Sequence, residues 1–167
     1  LGVRRQRQMC IRDSFYRLAI LYSTNRDLKK AMKFIANALN ISPNSKEFYI
    51  LKADILFNRT NYEEALYVLQ KITVEQNTHI FLKKGLLLSK IYLTISEFEK
   101  AELNLLQLKS VFKSEKVIFL SLSNLYFQIK DLKKGILILQ EGLNLYPNFL
   151  PFKFNLAVMY RNSGDIK

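Results

Sequence analysis

The chain has 167 residues, 49% of them hydrophobic and 24% charged, with five Gly and three Pro. This is the composition of one folding domain or one short repeat array, and it excludes a disordered chain. No apolar run approaches the roughly 18 residues of a membrane-crossing helix, and the formal net charge is +12, from 26 Lys and Arg against 14 Asp and Glu.

In chain order, segment 1–14 stands apart. The run Arg4-Arg5-Gln6-Arg7-Gln8-Met9-Cys10-Ile11-Arg12-Asp13-Ser14 resembles the in-frame translation of a transposon adapter used to build sequencing libraries, and it is set aside as non-native. On this reading the natural N-terminus is missing, so a signal peptide is neither read nor denied and no compartment is assigned. Cys10, the only cysteine, then falls outside the natural protein, and the Arg4, Arg5, Arg7 and Arg12 cluster is not a nucleic-acid arm. Residues 15–167 carry 22 basic and 13 acidic side chains, a net +9, with Lys supplying 18 of the basic ones. A native chain without Cys has no disulfide framework and no thiolate metal site.

The remainder repeats itself. Tyr22, Leu56, Tyr92, Tyr126 and Tyr160 are spaced by 34, 36, 34 and 34 residues. A few residues before each lies an apolar-small pair: Leu18-Ala19, Leu88-Ser89, Leu122-Ser123 and Leu156-Ala157, with Lys52-Ala53 in the second unit. A later series, Ala31, Ala65, Ala101 and Gly135, is followed at helical spacing by Ile35 and Ala38, Leu69 and Ile72, Leu105 and Leu108, and Leu139 and Gly142. Each unit therefore reads as two amphipathic helices. The divisions are 15–45, 46–79, 80–115, 116–149 and a fifth first helix in 150–167. Asp27, Asn61, Glu97, Asp131 and Asp165 mark the turn inside each unit, where Asp or Asn caps the next helix. The two extra residues fall near Gln76 to His79, as a loop. The small residues form close helix seams. Gly135 and Gly142 in particular imply contacts that exclude a methyl group, since mid-helix Gly costs roughly 1 kcal/mol against Ala. Pro43 and Pro147 close two units.

This pattern resembles the tetratricopeptide repeat: leucine, small residue, two variable, tyrosine; then alanine, three variable, large apolar; then proline. It covers nearly all of 15–167. The family's large aromatic near the start of each unit is matched by Phe15, Tyr49 and Phe119 and fails at Gly85 and Lys153. The resemblance implies an all-α, right-handed α-solenoid of antiparallel helix pairs, about four and a half units long. It also implies that the first helices line a concave groove. One column there is Tyr16, Ile50, Leu86, Leu120 and Phe154. The next holds Ile20, Asp54, Lys90, Asn124 and Val158. The last holds Ser23, Phe57, Leu93, Phe127 and Arg161, with Thr24, Asn58, Thr94, Gln128 and Asn162 beside it. An apolar groove with a polar stripe suits an extended peptide or amphipathic helix of a protein partner. The alternatives are that Tyr16, Leu86 and Leu120 pack between repeats while Asp54 pairs with Lys90, and that the array is the substrate-recruiting arm of a larger glycosyltransferase, sulfotransferase or methyltransferase. The carboxylate clamp of chaperone-tail binders is not assembled, because its seats hold Tyr, Ile, Leu and Asp54.

No catalytic constellation is legible. His79 is the only histidine, so neither a His-pair metal site nor a Cys–His dyad is available. There is no Gly-rich phosphate loop, and Glu63, Glu64, Glu97 and Glu99 stand at helix starts, where acids suit the dipole. No cofactor is expected. The lysines are scattered over turns and helix starts, and the groove columns are mostly apolar, which argues against nucleic acid as the partner.

Overall fold

The computed structural model describes residues 2–164, with side chains from residue 6 onward. The turn residue expected at Asp165 lies outside them, as do the side chains of Arg4 and Arg5. The described residues form helices joined by turns and fall into two compact units, one ending at Glu75 and the other beginning at Gln76.

The first unit holds α1 (Gly2–Thr24), α2 (Leu28–Ile41), α3 (Lys46–Asn58) and α4 (Tyr62–Lys71). Helix α1 runs unbroken from the segment set aside above into the first repeat. Its seam with α2 closes on Ala19 and Ala31, both fully buried, and Ile35, Ala38, Phe48 and Ile55 complete that core. Successive buried residues of α2 are four and three apart, one face of a 3.6-residue helix. Tyr22 stacks on Phe34 at 5.3 Å between ring centroids.

The second unit holds α5 (His79–Thr94), α6 (Phe98–Val111), α7 (Lys116–Gln128), α8 (Leu132–Leu145) and α9 (Leu150–Ser163). Its core runs through Leu105, Leu108, Phe119, Leu122, Leu125, Leu139 and Phe152, all essentially inaccessible to water. Both expected tight contacts are present. A Cβ on Gly142 would stand 2.7 Å from the Phe152 ring, and one on Gly135 2.6 Å from the Met159 thioether. Gly85, where the aromatic pattern fails, makes the same kind of room: its Cβ would meet the Leu108 side chain at 2.7 Å. The buried Ser89 hydroxyl donates to the Gly85 carbonyl and accepts from Asn104 Nδ2 at 2.6 Å, joining α5 to α6. Among the described residues no buried side-chain nitrogen or oxygen lacks a partner. Ala157, in the same small-residue register as Ser123, is exposed, and no second helix follows α9 among the described residues.

The turn inside each repeat has one construction. Arg26, Thr60, Ser96 and Lys130 adopt left-handed backbone with φ of 62–64°. Around the first three the Schellman pair of hydrogen bonds forms, for example Asp27 N–H to the Tyr22 carbonyl (2.9 Å) and Arg26 N–H to the Ser23 carbonyl (3.1 Å). The residue that ends this motif then starts the next helix. Asp27, Asn61 and Asp131 cap it by accepting from the backbone N–H three residues on. Glu97 makes no such cap and pairs with Lys100 at 3.1 Å instead. The glycine of the fifth repeat, Gly164, has φ 80° in the same register.

Turns between repeats are equally regular. Ser45 N–H bonds the Ser42 carbonyl around Pro43-Asn44, and Phe149 N–H bonds the Tyr146 carbonyl around Pro147-Asn148. Glu115 N–H bonds the Phe112 carbonyl in the same way, with Lys113 in the proline position. The exception is the stretch 72–78, where the two extra residues lie. It contains a turn with Asn77 at φ 66°, and Thr78 caps α5 through Phe81 N–H.

Candidate functional site

The groove residues are carried on the first helices of the repeats, and each unit places them differently. In the first unit Tyr16 is half-buried and stacks on Phe48 at 4.9 Å, and Ile50 is buried, so both face neighbouring helices more than solvent. Burial pushes the Tyr16 hydroxyl pKa upward, with the Glu47 carboxylate adding to the effect. Ile20 is exposed on α1, whereas Asp54 and Asn58 are half-buried and joined by a hydrogen bond from Asn58 Nδ2 at 3.4 Å. The Phe57 ring sits 5.5 Å from Tyr62.

In the second unit Leu86, Leu93 and Leu120 are half-buried against the core, and Lys90, Gln128 and Arg161 reach solvent. Four of the expected residues converge here. Asn124 and Phe127 of α7 and Phe154 and Val158 of α9 line a cleft of about 260 Å³, whose base is Ser123, Asn155 and Met159. Phe154 is 70% exposed and Phe127 41%, although both are large apolar rings. The helices hold them apart because the neighbouring residues on each are already consumed by the core: Ser123 and Met159 are buried, and Met159 lies over Gly135. The cleft is below the roughly 300–1,000 Å³ of a small-molecule pocket, which makes it the size of one or two side chains. Apolar walls take an apolar side chain, and the Asn124 and Asn155 amides offer a donor and an acceptor each to a peptide backbone.

A three-residue network lies on the other side of α7. Tyr126 donates to Glu102 Oε1 at 2.8 Å, and Lys134 Nζ reaches the same oxygen at 3.2 Å. Burial, then the Glu102 carboxylate, raises the Tyr126 pKa; the hydrogen bond to Glu102 does the same for Lys134. The network ties the repeat tyrosine of α7 to the second helices α6 and α8. Among the described residues no group of three or more His, Cys, Asp and Glu could hold a metal ion, and no helix is long and apolar enough to cross a membrane.

Another exposed column went unread in the sequence. Tyr67, Leu103 and Leu137 occupy one register position of the second helices and are 57%, 73% and 64% exposed. Its signal in the sequence is the spacing of 36 and 34 residues from Tyr67.

These helix pairs, with their repeated turns and small-residue seams, define a helical-repeat protein. The family model described as tetratricopeptide repeat protein 21 ARM repeat matches residues 5–101, more than half of the chain, and the chain belongs to the tetratricopeptide-repeat family. It is 32% identical over 109 residues to the TPR repeat-containing protein YpiA of Bacillus subtilis (strain 168), a match covering 65% of this chain and 25% of YpiA; the chain spans about a quarter of that relative's length. Among solved structures, PilF of Pseudomonas aeruginosa superposes with a TM-score of 0.75 at 17% identity, over 95% of this chain and 71% of that one. YrrB, described as a TPR protein with an unusual peptide-binding site, superposes with a TM-score of 0.63 at 13% identity, over 92% and 78%. The fold they share is the all-α helical-repeat solenoid.

Proposed function

We propose that this chain is a protein-interaction module that takes an apolar side chain of an extended or helical partner segment into the cleft between α7 and α9. The observation that carries the reading is the convergence of Asn124, Phe127, Phe154 and Val158 around one small opening, with two phenylalanine rings left in solvent. Exposed rings beside unspent amides are what a peptide-binding surface uses, apolar anchors for affinity and amides for register. The peptide-binding site named for YrrB, a relative in fold, supports the same reading.

The test is selection of random dodecapeptides against the whole chain. Selected peptides should share an apolar residue, and their affinity should fall at least tenfold for Phe154→Ala and for Phe127→Ala. Phe154 is so exposed that its truncation should change stability by no more than about 0.5 kcal/mol. Selected peptides that bind both variants as tightly as the parent would overturn the assignment.

A further inference from the structure

Charge is sorted by helix in the second unit. Its first helices carry Lys83, Lys84 and Lys90 on α5, Lys116 on α7, and Lys153 and Arg161 on α9, and none of the three contains an Asp or Glu. The acids of this unit sit elsewhere: Glu99 and Glu102 on α6, Glu141 on α8, Glu97 and Asp131 at the internal turns, and Glu115 at the N-cap of α7. Most of them pair with lysines of the second helices. Glu102 and Asp131 meet Lys134 at 3.2 and 3.7 Å, Glu141 meets Lys109 at 2.6 Å, and Glu97 meets Lys100 at 3.1 Å. The first unit is not sorted in this way, since α3 brings both Glu47 and Asp54.

The cleft between α7 and α9 accordingly has no carboxylate in its lining, and no charged side chain of any kind. One cation stands at its edge. Arg161 follows Val158 by three residues and Phe154 by seven, so the three share a face of α9, and Arg161 is exposed there. The other cations nearby point away. Lys153 is turned about 100° round the helix from Phe154, and Lys116 lies over the Tyr146 and Phe149 rings, at 4.4 and 4.9 Å from their centroids.

Resting on the cleft reading above, we infer that the partner segment is acidic and extended: it presents an Asp or Glu two residues from the apolar side chain that enters the cleft, and Arg161 takes that carboxylate. The spacing follows from the two rises. Arg161 stands about 4.5 Å along α9 from Val158 and about 10.5 Å from Phe154. Side chains on one face of an extended peptide recur about every 6.6 Å, which falls between those limits. A guanidinium holds a carboxylate through two parallel hydrogen bonds. No carboxylate of the cleft wall repels the ligand, and the cationic first helices favour it through a field that salt screens beyond about 8–10 Å. Arg161 also lies in the last turn of α9, where a cation suits the helix dipole; that role is indifferent to what the peptide carries.

The experiment selects dodecapeptides on the full chain and expects Asp or Glu enriched two positions from the apolar anchor. One selected peptide and its amide counterpart, with the acid replaced by Asn or Gln, are titrated against the parent and against Arg161→Gln, whose folding is checked by thermal melting. Loss of the acid should weaken binding about tenfold on the parent. On Arg161→Gln it should change binding by less than about twofold, with the amide peptide binding both chains alike. An absence of acidic enrichment, or an equal loss on both chains, overturns the acidic partner. Peptides that need Phe127 but ignore Arg161 overturn it while leaving the cleft standing; peptides indifferent to Phe127→Ala overturn the cleft and the partner chemistry together. A single-stranded RNA that displaces the peptide and depends equally on Arg161 would assign the cation to phosphate and likewise refute the inference.

Discussion

Thr60 is a β-branched residue held at φ 62°, the left-handed region where a Cβ crowds the following carbonyl. Arg26, Ser96 and Lys130 bear the same constraint at the same turn, and only Gly164 answers it with the residue that suits it. The strain is outweighed because the turn satisfies two carbonyls of the first helix and starts the second. Replacing Thr60 with Gly removes a conformational cost of about 1–2 kcal/mol and returns about half of it through the freer unfolded chain. The expected outcome is a melting temperature about 2 °C higher, read by circular dichroism; a lower value would mean that the Thr60 side chain contributes more than its backbone costs. None of this strain was legible beforehand. Asp27, Asn61 and Asp131 advertise the caps, whereas nothing in the identity of an Arg, Thr, Ser or Lys advertises a left-handed backbone.

At the scale of the helix, packing separates glycines that look alike in the sequence. Both Gly135 and Gly142 lie inside α8, so either change to Ala gains about 1 kcal/mol of helix propensity. At Gly135 the new methyl meets the tip of Met159, a flexible thioether that can turn aside. At Gly142 it meets the Phe152 ring, fixed between Phe119, Tyr146 and Phe149. Overpacking against such a ring costs about 1–3 kcal/mol. Urea denaturation should therefore find Gly135→Ala near neutral and Gly142→Ala destabilised by about 1 kcal/mol or more. Equal values for the two variants would show that the ring adjusts as freely as the thioether. The helix pairing itself was readable because small residues recur at a fixed interval. Gly85 was not, because its role depends on Leu108, a residue 23 positions away that no local pattern connects to it.

Over the whole molecule, the segment between α4 and α5 is the only described connection longer than a tight turn, and the two compact units meet the chain there. Thr73, Glu75, Gln76 and Asn77 are exposed. Exposed, non-helical backbone is where proteases enter first. A glutamate-specific protease should cut after Glu75 before it cuts within any helix, leaving two fragments on a denaturing gel; early cleavage at Glu63, Glu64, Glu99 or Glu102 would mean that the helices open more readily than the connection. The first-helix columns named from the sequence meet as a cleft at α7 and α9, whereas Tyr16 and Ile50 in the same columns are drawn into ring stacking and the core. Sequence register locates such positions; only packing decides which of them remain available.

The shared residue at each internal turn has a consequence for how this gene tolerates length changes. Asp27 and Asn61 each finish one helix and open the next. A single inserted residue there would swing the following helix by about 100° and aim its alanine seam at water. An inserted residue is therefore better accommodated between repeats, as in the stretch 72–78 where the two extra residues lie, than at the turns inside them.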